Sequence, residues 1–284
     1  MKKFGFVLIA IIGSTPAMAT DLPRPQMAYK APVVAPAPVS TWEGFYVGGH
    51  VGYGWDPANA TFSPSTYATA ILGPLGGPFV DTGPDSGPIA LAVHPKGWLG
   101  GAQFGYNWQR QSLVLGAEAD ISGSNIRGST SAPFFVNGTE GGDLAGFTGN
   151  VGLQQKLDYF GTIRGRLGWA NDTLLLYATG GLAWGHVTTT FNTFGITENT
   201  PGMFTAAQLA ALQNGGYASA SDIRWGYAVG TGFEWMVARN WSVKGEYLFV
   251  NLGGHDTLVI PGGVANSDLS VNIARVGFNY FIRP

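Results

Sequence analysis

The chain has 284 residues, 15 Lys and Arg against 17 Asp and Glu for a formal net charge of -2, and no cysteine. Disulfide staples, thiol nucleophiles and thiolate metal sites are therefore excluded, and no net positive field exists to attract nucleic acid. With 44 glycines, 13% aromatic and only 11% charged residues, the composition is unlike a soluble domain and asks for a fold in which strand glycine has a use.

In chain order, Lys2 and Lys3 precede an apolar run at 4–12, and Ala17-Met18-Ala19 offers a small-x-small cleavage site at Ala17 and Ala19. Residues 1–19 thus read as a signal peptide that is removed. The alternative, an uncleaved helical anchor, needs roughly 20 apolar residues, about twice what this run supplies. Residues 20–40 are proline- and alanine-rich without apolar periodicity. They cannot join a sheet ladder and read as an extended periplasmic leader. Contact with peptidoglycan or another envelope protein is a second use for such a segment.

From residue 41 onward, eight alternating segments are expected near 44–55, 97–109, 112–123, 156–169, 173–187, 223–236, 240–252 and 269–282. Each has the length a tilted strand needs to cross a bilayer. Tight turns around Arg110, Asn171-Asp172 and Arg239-Asn240 alternate with long loops after the first, third, fifth and seventh segments. Outer-membrane barrels have this asymmetry, with short turns in the periplasm and long loops outside the cell. The expected fold is all-β: an eight-stranded antiparallel up-and-down transmembrane β-barrel over 41–284 with four long external loops.

Parity assigns the faces, because successive strand side chains point to opposite sides. One parity is apolar: Phe45, Val47 and Val51, Phe104 and Tyr106, Leu113 and Leu115, Leu157, Tyr159 and Ile163, and so on through Val243 and Phe249. The other collects Glu118, Asp120, Lys156, Asp158, Arg164, Arg166, Arg224, Glu234, Lys244, Glu246 and Arg275. A charge at the lipid midplane costs about 2 to 4 kcal/mol, so these are expected to line the lumen. Eight strands leave an interior about wide enough for side chains to fill, which favours an interlocked ion-pair network over a water-filled channel.

All nine tryptophans lie within a residue or two of segment ends. Trp108, Trp169, Trp235 and Trp241 are expected at the periplasmic rim, and Trp55, Trp98, Trp184 and Trp225 at the outer rim, as two interface belts. Aromatic packing inside a soluble sandwich would not demand belts at both ends together with apolar-out, charged-in parity.

The stretch Trp42-Glu43-Gly44-Phe45-Tyr46-Val47-Gly48-Gly49 resembles the first strand of the small outer-membrane β-barrel proteins of alphaproteobacteria, the major surface-antigen type. Further similarity lies in Gly100-Gly101-Ala102-Gln103, in Gly161-Thr162-Ile163-Arg164-Gly165-Arg166, in Leu176-Tyr177-Ala178-Thr179-Gly180-Gly181, and in Arg275-Val276-Gly277-Phe278-Asn279-Tyr280. The resemblance implies an abundant, surface-exposed eight-stranded barrel important for envelope integrity. Its members are often labelled porins, and some are connected with haem. They usually finish on an aromatic residue recognised by the barrel-assembly machinery, whereas here Ile282 takes that register and Arg283-Pro284 follow.

Candidate chemistry is sparse. Of the four histidines, His50 is expected to point into the barrel, His94 and His255 to lie on the first and fourth loops, and His186 near the outer rim. Loops that brought His94 and His255 together could hold haem or a metal, although scattered loop histidines are more often solvated. His186 and Thr188 share a face where a lipid-modifying enzyme would need a base beside a hydroxyl, but no acidic orienter follows at matching parity. Glu118 and Asp120 are better partners for lumen arginines than an acid and base, because a sealed lumen admits no bulky substrate. Glycines at 73–77 mark turns, not a phosphate-cradling loop. Asn137-Gly138-Thr139 matches a glycosylation acceptor only as a pattern. Thr205 and Gln208 have capping-box spacing, so a short helix is expected over 206–213, closed by Gly215, with Leu209 and Leu212 on one side to cap the barrel mouth or to meet a partner, capping being the plainer use.

The expectation is a non-enzymatic structural barrel in the bacterial outer membrane, without cofactor or metal, supporting envelope integrity and presenting surface loops. A small porin and a haem or iron-source receptor stand as alternatives. Expected partners are outer-membrane lipid and lipopolysaccharide, the assembly machinery, and peptidoglycan or a host surface.

Overall fold

The structure, a computed structural model, describes residues 42–55, 58–75, 80–81, 89–140, 143–199, 201–214, 216–253, 259–260, 263–264 and 269–283. They belong to the unit Val39–Pro284. The signal peptide with Ala17 and Ala19, the leader 20–40, and His255 lie outside the described residues.

The elements in chain order are β1 (Gly44–Trp55), β2 (Ala58–Phe62), α1 (Pro64–Leu72), β3 (Val80–Asp81), β4 (Ile89–Val93), β5 (Lys96–Arg110), β6 (Leu113–Glu140), β7 (Asp143–Ala170), β8 (Leu174–Glu198), α2 (Ala206–Asn214), β9 (Tyr217–Ala238), β10 (Trp241–Leu252), β11 (Val259–Ile260), β12 (Gly263–Val264) and β13 (Leu269–Ile282). Strands β6, β5, β1, β13, β10, β9, β8 and β7 pair in that order, and β6 also pairs with β7. The ring closes, every pair is antiparallel, and among the described residues no strand of the ring is left with an open edge along the barrel wall. Closure is what lets every backbone group be satisfied without water.

Strands β1 and β13 span the residues expected from alternation, but β6 and β7 run to 28 residues each, β8 to 25 and β9 to 22. The expected second external loop is instead a strand hairpin in which only 141 and 142 lie between β6 and β7. Alternation simply continues there, with Phe134, Val136, Phe147, Val151 and Leu153 turned inward and polar residues such as Ser129, Ser131 and Gln154 turned out. The glycine, serine and proline on the outer face disguise a strand as a loop.

Pairing slips by one residue at four places, two of which bear on the lumen: between Gly123 and Ile126 on β6 and between Leu157 and Tyr159 on β7. The second is a bulge at Asp158, and it reverses parity on β7. Inside the ring the inward residues are Phe160, Arg164 and Arg166; beyond the bulge they become Leu157, Gln155 and Leu153. Leu157, expected on the lipid face, is therefore buried.

Four layers fill the interior. At the end that carries the short turns, expected to be the periplasmic one, Trp42, Tyr46, Val114, Leu175, Tyr177, Met236 and Phe281 form a stopper. The charged residues come next. Outward of them lies an aliphatic layer that includes Leu99, Ile126, Leu157, Phe160, Leu248, Val250, Val271 and Ile273. Beyond it, α1, α2, β2 and β4 pack against the extended strands in a second apolar core built on Phe62, Tyr67, Leu72, Leu91, Phe134, Phe147, Phe191 and Leu212.

Helix α2 begins as its capping box requires, with the Gln208 N–H donating to Thr205 Oγ1 at 3.3 Å and the Thr205 N–H donating to Gln208 Oε1 at 2.8 Å. Leu212 is fully buried against the outer core and Leu209 packs at its edge. The two helices are joined through Tyr67, whose hydroxyl donates to the Leu212 carbonyl at 2.6 Å and lies 3.2 Å from Thr193 Oγ1. Burial pushes this phenol above its ordinary pKa, opposed by its contact with Thr193. Tyr67→Phe is expected to leave a buried carbonyl unsatisfied at a cost of about 1 to 3 kcal/mol. Limited proteolysis of folded protein should then nick the α1 and α2 region faster while the barrel fragment stays intact; unchanged nicking would show that the hydroxyl holds nothing.

Candidate functional site

The register places opposite charges directly across from one another: Glu118 faces Arg164, Glu234 faces Lys244, and Glu246 faces Arg275. Such cross-strand pairs are the unit of sheet stabilisation. Room for the long side chains comes from glycines at neighbouring register positions. Gly181 lies across from Arg164, and a Cβ there would come within 2.7 Å of the arginine Cα, so only glycine admits this approach.

Arg164 is the hub. Its Nη2 lies 2.7 Å from Glu118 Oε1 and 2.9 Å from Asp120 Oδ2, and its Nη1 3.1 Å from Glu246 Oε1. Arg275 binds Glu246 through Nη2 at 2.5 Å and Nε at 2.6 Å, and reaches Asp120 at 3.3 Å. Lys244 Nζ lies 3.0 Å from both oxygens of Glu118. Arg166 pairs with Glu234 at 3.0 Å, lies over the Tyr177 ring at 4.0 Å, and donates to the Tyr46 hydroxyl at 2.9 Å, which donates to Glu118 at 2.8 Å. Glu234 also accepts from Ser242 at 2.5 Å and Asn279 at 2.7 Å. His50 lies inside as expected, between Gln103 Oε1 at 2.5 Å and Ser122 Oγ at 2.8 Å.

Four cations, Arg164, Arg166, Lys244 and Arg275, thus meet four carboxylates, Glu118, Asp120, Glu234 and Glu246, with side chains at most 3% exposed. The charge balances, which meets the first condition for holding ions out of water; attraction offsets desolvation best when the remaining hydrogen-bonding sites are also used, and here Asp120 Oδ1 and Arg275 Nη1 are buried without a partner among the described residues. Glu118 and Asp120 are both engaged by arginine, so neither is free to act as an acid or base. Outward of this layer the inward residues are mostly aliphatic, and burying a bare charge among them carries a large solvation penalty.

Other expected site residues are distributed differently. Arg224 is buried inside. Lys156 and Asp158 are not in the lumen: their side chains are 46% and 28% exposed and pair with each other on the outer surface. The Asp158 bulge reverses parity at that point, which simple alternation cannot anticipate. The same bulge brings Asp158 to 3.3 Å from His186 Nδ1, so an acidic partner for His186 exists after all, and Tyr159 stacks on the imidazole at 5.3 Å. His94 is exposed on the outer side. Seven rim tryptophans, Trp55, Trp98, Trp108, Trp169, Trp225, Trp235 and Trp241, are 40% to 67% exposed on the outward face, and Trp184 is half-buried against Trp225 with ring centroids 5.9 Å apart. Trp42 alone points inward and is fully buried.

The aliphatic layer was missed from sequence. Its signal was present: Leu248, Val250 and Leu252 on β10, and Leu269, Val271 and Ile273 on β13, continue the inward parity of Lys244, Glu246 and Arg275.

The sequence profile of the outer membrane protein beta-barrel domain matches residues 25–281. The 31 kDa outer-membrane immunogenic protein of Brucella melitensis biotype 1 is 32% identical over 282 residues, covering 99% of each chain. The 22 kDa outer membrane protein of Rhizobium leguminosarum bv. viciae is 26% identical over 229 residues, covering 81% of this chain and 72% of its own. Among solved structures, the outer membrane protein OprG of Pseudomonas aeruginosa aligns over 85% of this chain and 97% of its own, with 12% identity and a TM-score of 0.42.

Proposed function

We propose, on the premise that this chain belongs to the outer membrane protein beta-barrel domain family and lies in the outer membrane, that its work is structural and non-enzymatic: a barrel closed to solutes that supports the envelope and carries a folded cap at the cell surface. The observation that carries this reading is the stacking of a charge-balanced ionic layer against an aliphatic layer across the same lumen. A porin needs a continuous wet path, and this stacking interrupts one. The immunogenic outer-membrane proteins named among the relatives support surface presentation.

The test is barrier function in cells. Removing the gene is expected to sensitise the strain to bile salts and to raise uptake of a hydrophobic dye, and the wild-type gene to restore the barrier. A null strain with an intact barrier and slowed uptake of small hydrophilic solutes would instead make transport the function.

A further inference from the structure

On the outer surface, the register sets three cations side by side across adjacent strands. Lys96 on β5 is directly opposite Arg127 on β6, and Arg127 is directly opposite Lys156 on β7. All three side chains are exposed on the outward face. Strands lie about 4.8 Å apart, so the three charges fall within roughly 10 Å. Like charges directly opposite one another destabilise a sheet. Among the described residues only Lys156 has a carboxylate partner, Asp158, which is also shared with His186 and Thr188. Among the described residues the row therefore carries more positive charge than its one carboxylate partner offsets.

Its position indicates what compensates it. Trp98 lies two residues inward of Lys96 on the same face, about 7 Å along the strand. Trp55, which is opposite Lys96, continues the level around the barrel. The cations thus sit at and just beyond the outer aromatic belt, level with Trp55 and one side-chain repeat outward of Trp98, at the depth of lipid headgroups. Farther out, the same face turns uncharged. A shallow hollow there is lined by Ser129, Ser131, Gly152, Gln154, Asn192 and Phe194, offering hydroxyls, amides and one exposed ring. From the membrane outward the order is apolar wall, tryptophan, cations, then hydroxyl and amide groups. That is the order of parts in a glycolipid with phosphate on its first sugars.

We infer that this face of β5, β6, β7 and β8 seats a phosphorylated glycolipid of the outer leaflet, with phosphate on Lys96, Arg127 and Lys156 and the following sugars along the hollow. The inference is independent of whether the lumen conducts. The occupant is a membrane lipid because the cations border the acyl-chain region, and arginine with two flanking amines matches a phosphate's several acceptor oxygens.

The test is native mass spectrometry of the folded full chain in detergent, with bisphosphorylated lipid A, the same lipid dephosphorylated, phosphatidylglycerol and inorganic phosphate offered separately. Wild type is expected to retain bisphosphorylated lipid A over the dephosphorylated form, losing about fivefold of that preference per cation removed. A Lys96→Gln/Arg127→Gln/Lys156→Gln variant should lose it altogether, and a Lys96→Arg/Lys156→Arg variant should keep it. Heat-modifiable gel mobility reports folding. If the triple variant does not fold, Arg127→Gln alone, the centre of the row, must show the loss. The inference is overturned if the preference survives these changes, if wild type has none, if phosphatidylglycerol is retained equally, or if millimolar phosphate displaces the lipid.

Discussion

Arg164→Leu is expected to lower the stability of the folded barrel by about 3 to 5 kcal/mol, the range for breaking a buried ion pair by removing one partner. The magnitude follows from what remains. Glu118, Asp120 and Glu246 each lose a guanidinium contact at 3.1 Å or less, and the layer keeps one negative charge too many. Leucine returns some apolar area but no donor. Arg164→Lys restores the charge without the fork, since one ammonium cannot reach three carboxylates as a planar guanidinium does, and should fall between leucine and wild type. Urea unfolding in detergent, followed by tryptophan fluorescence and heat-modifiable mobility, measures both. An unchanged midpoint for Arg164→Leu would mean that the ionic layer contributes nothing to holding the barrel together.

Trp42→Ala is expected to cost about 3 to 5 kcal/mol as well, the range for emptying a large buried aromatic site. Trp42 is fully buried at the end that carries the short turns and meets Phe281 edge-on with ring centroids 5.9 Å apart. Its Nε1 donates to the Asn171 carbonyl at 2.8 Å and its backbone N–H to Gln109 Oε1 at 2.6 Å, fastening the entering chain to two turns across the barrel mouth. Trp42→Phe keeps most of the packing and loses the indole bond, for a cost of about 1 kcal/mol. The informative contrast is Trp241→Ala on the outward face, which detergent solvates. Equal losses at positions 42 and 241 would contradict the inward placement of Trp42.

How much was legible depended on whether alternation stayed unbroken. Strands β1, β10 and β13 were readable nearly to the residue, because apolar-out parity runs through them without a slip. The ion network was readable for the same reason: Arg164, Arg166, Glu118 and Asp120 share a parity that lipid forbids. Lys156 and Asp158 were misplaced because one bulge exchanges inside for outside, and a single extra residue leaves no mark in composition. The extended β6–β7 hairpin was hidden because its outer face is bathed in water and needs no apolar residues, so half of its alternation carries serine, glycine and glutamine. Trp42 was placed near a segment end but in neither belt, and its inward orientation was not legible because it depends on how the chain turns into the barrel mouth before β1 begins. The outer apolar core joins residues far apart in sequence, such as Tyr67 with Leu212, and no local pattern announces such a meeting.

The central claim is that the lumen is closed, and single-channel recording in planar bilayers tests it most directly. The refolded barrel is inserted after heat-modifiable mobility has established that it is folded, and current is followed across a range of voltages in molar salt. The account predicts silence from wild type. Reproducible ohmic steps whose size or ion selectivity changes on substituting Arg164, Lys244 or Glu246 would contradict it.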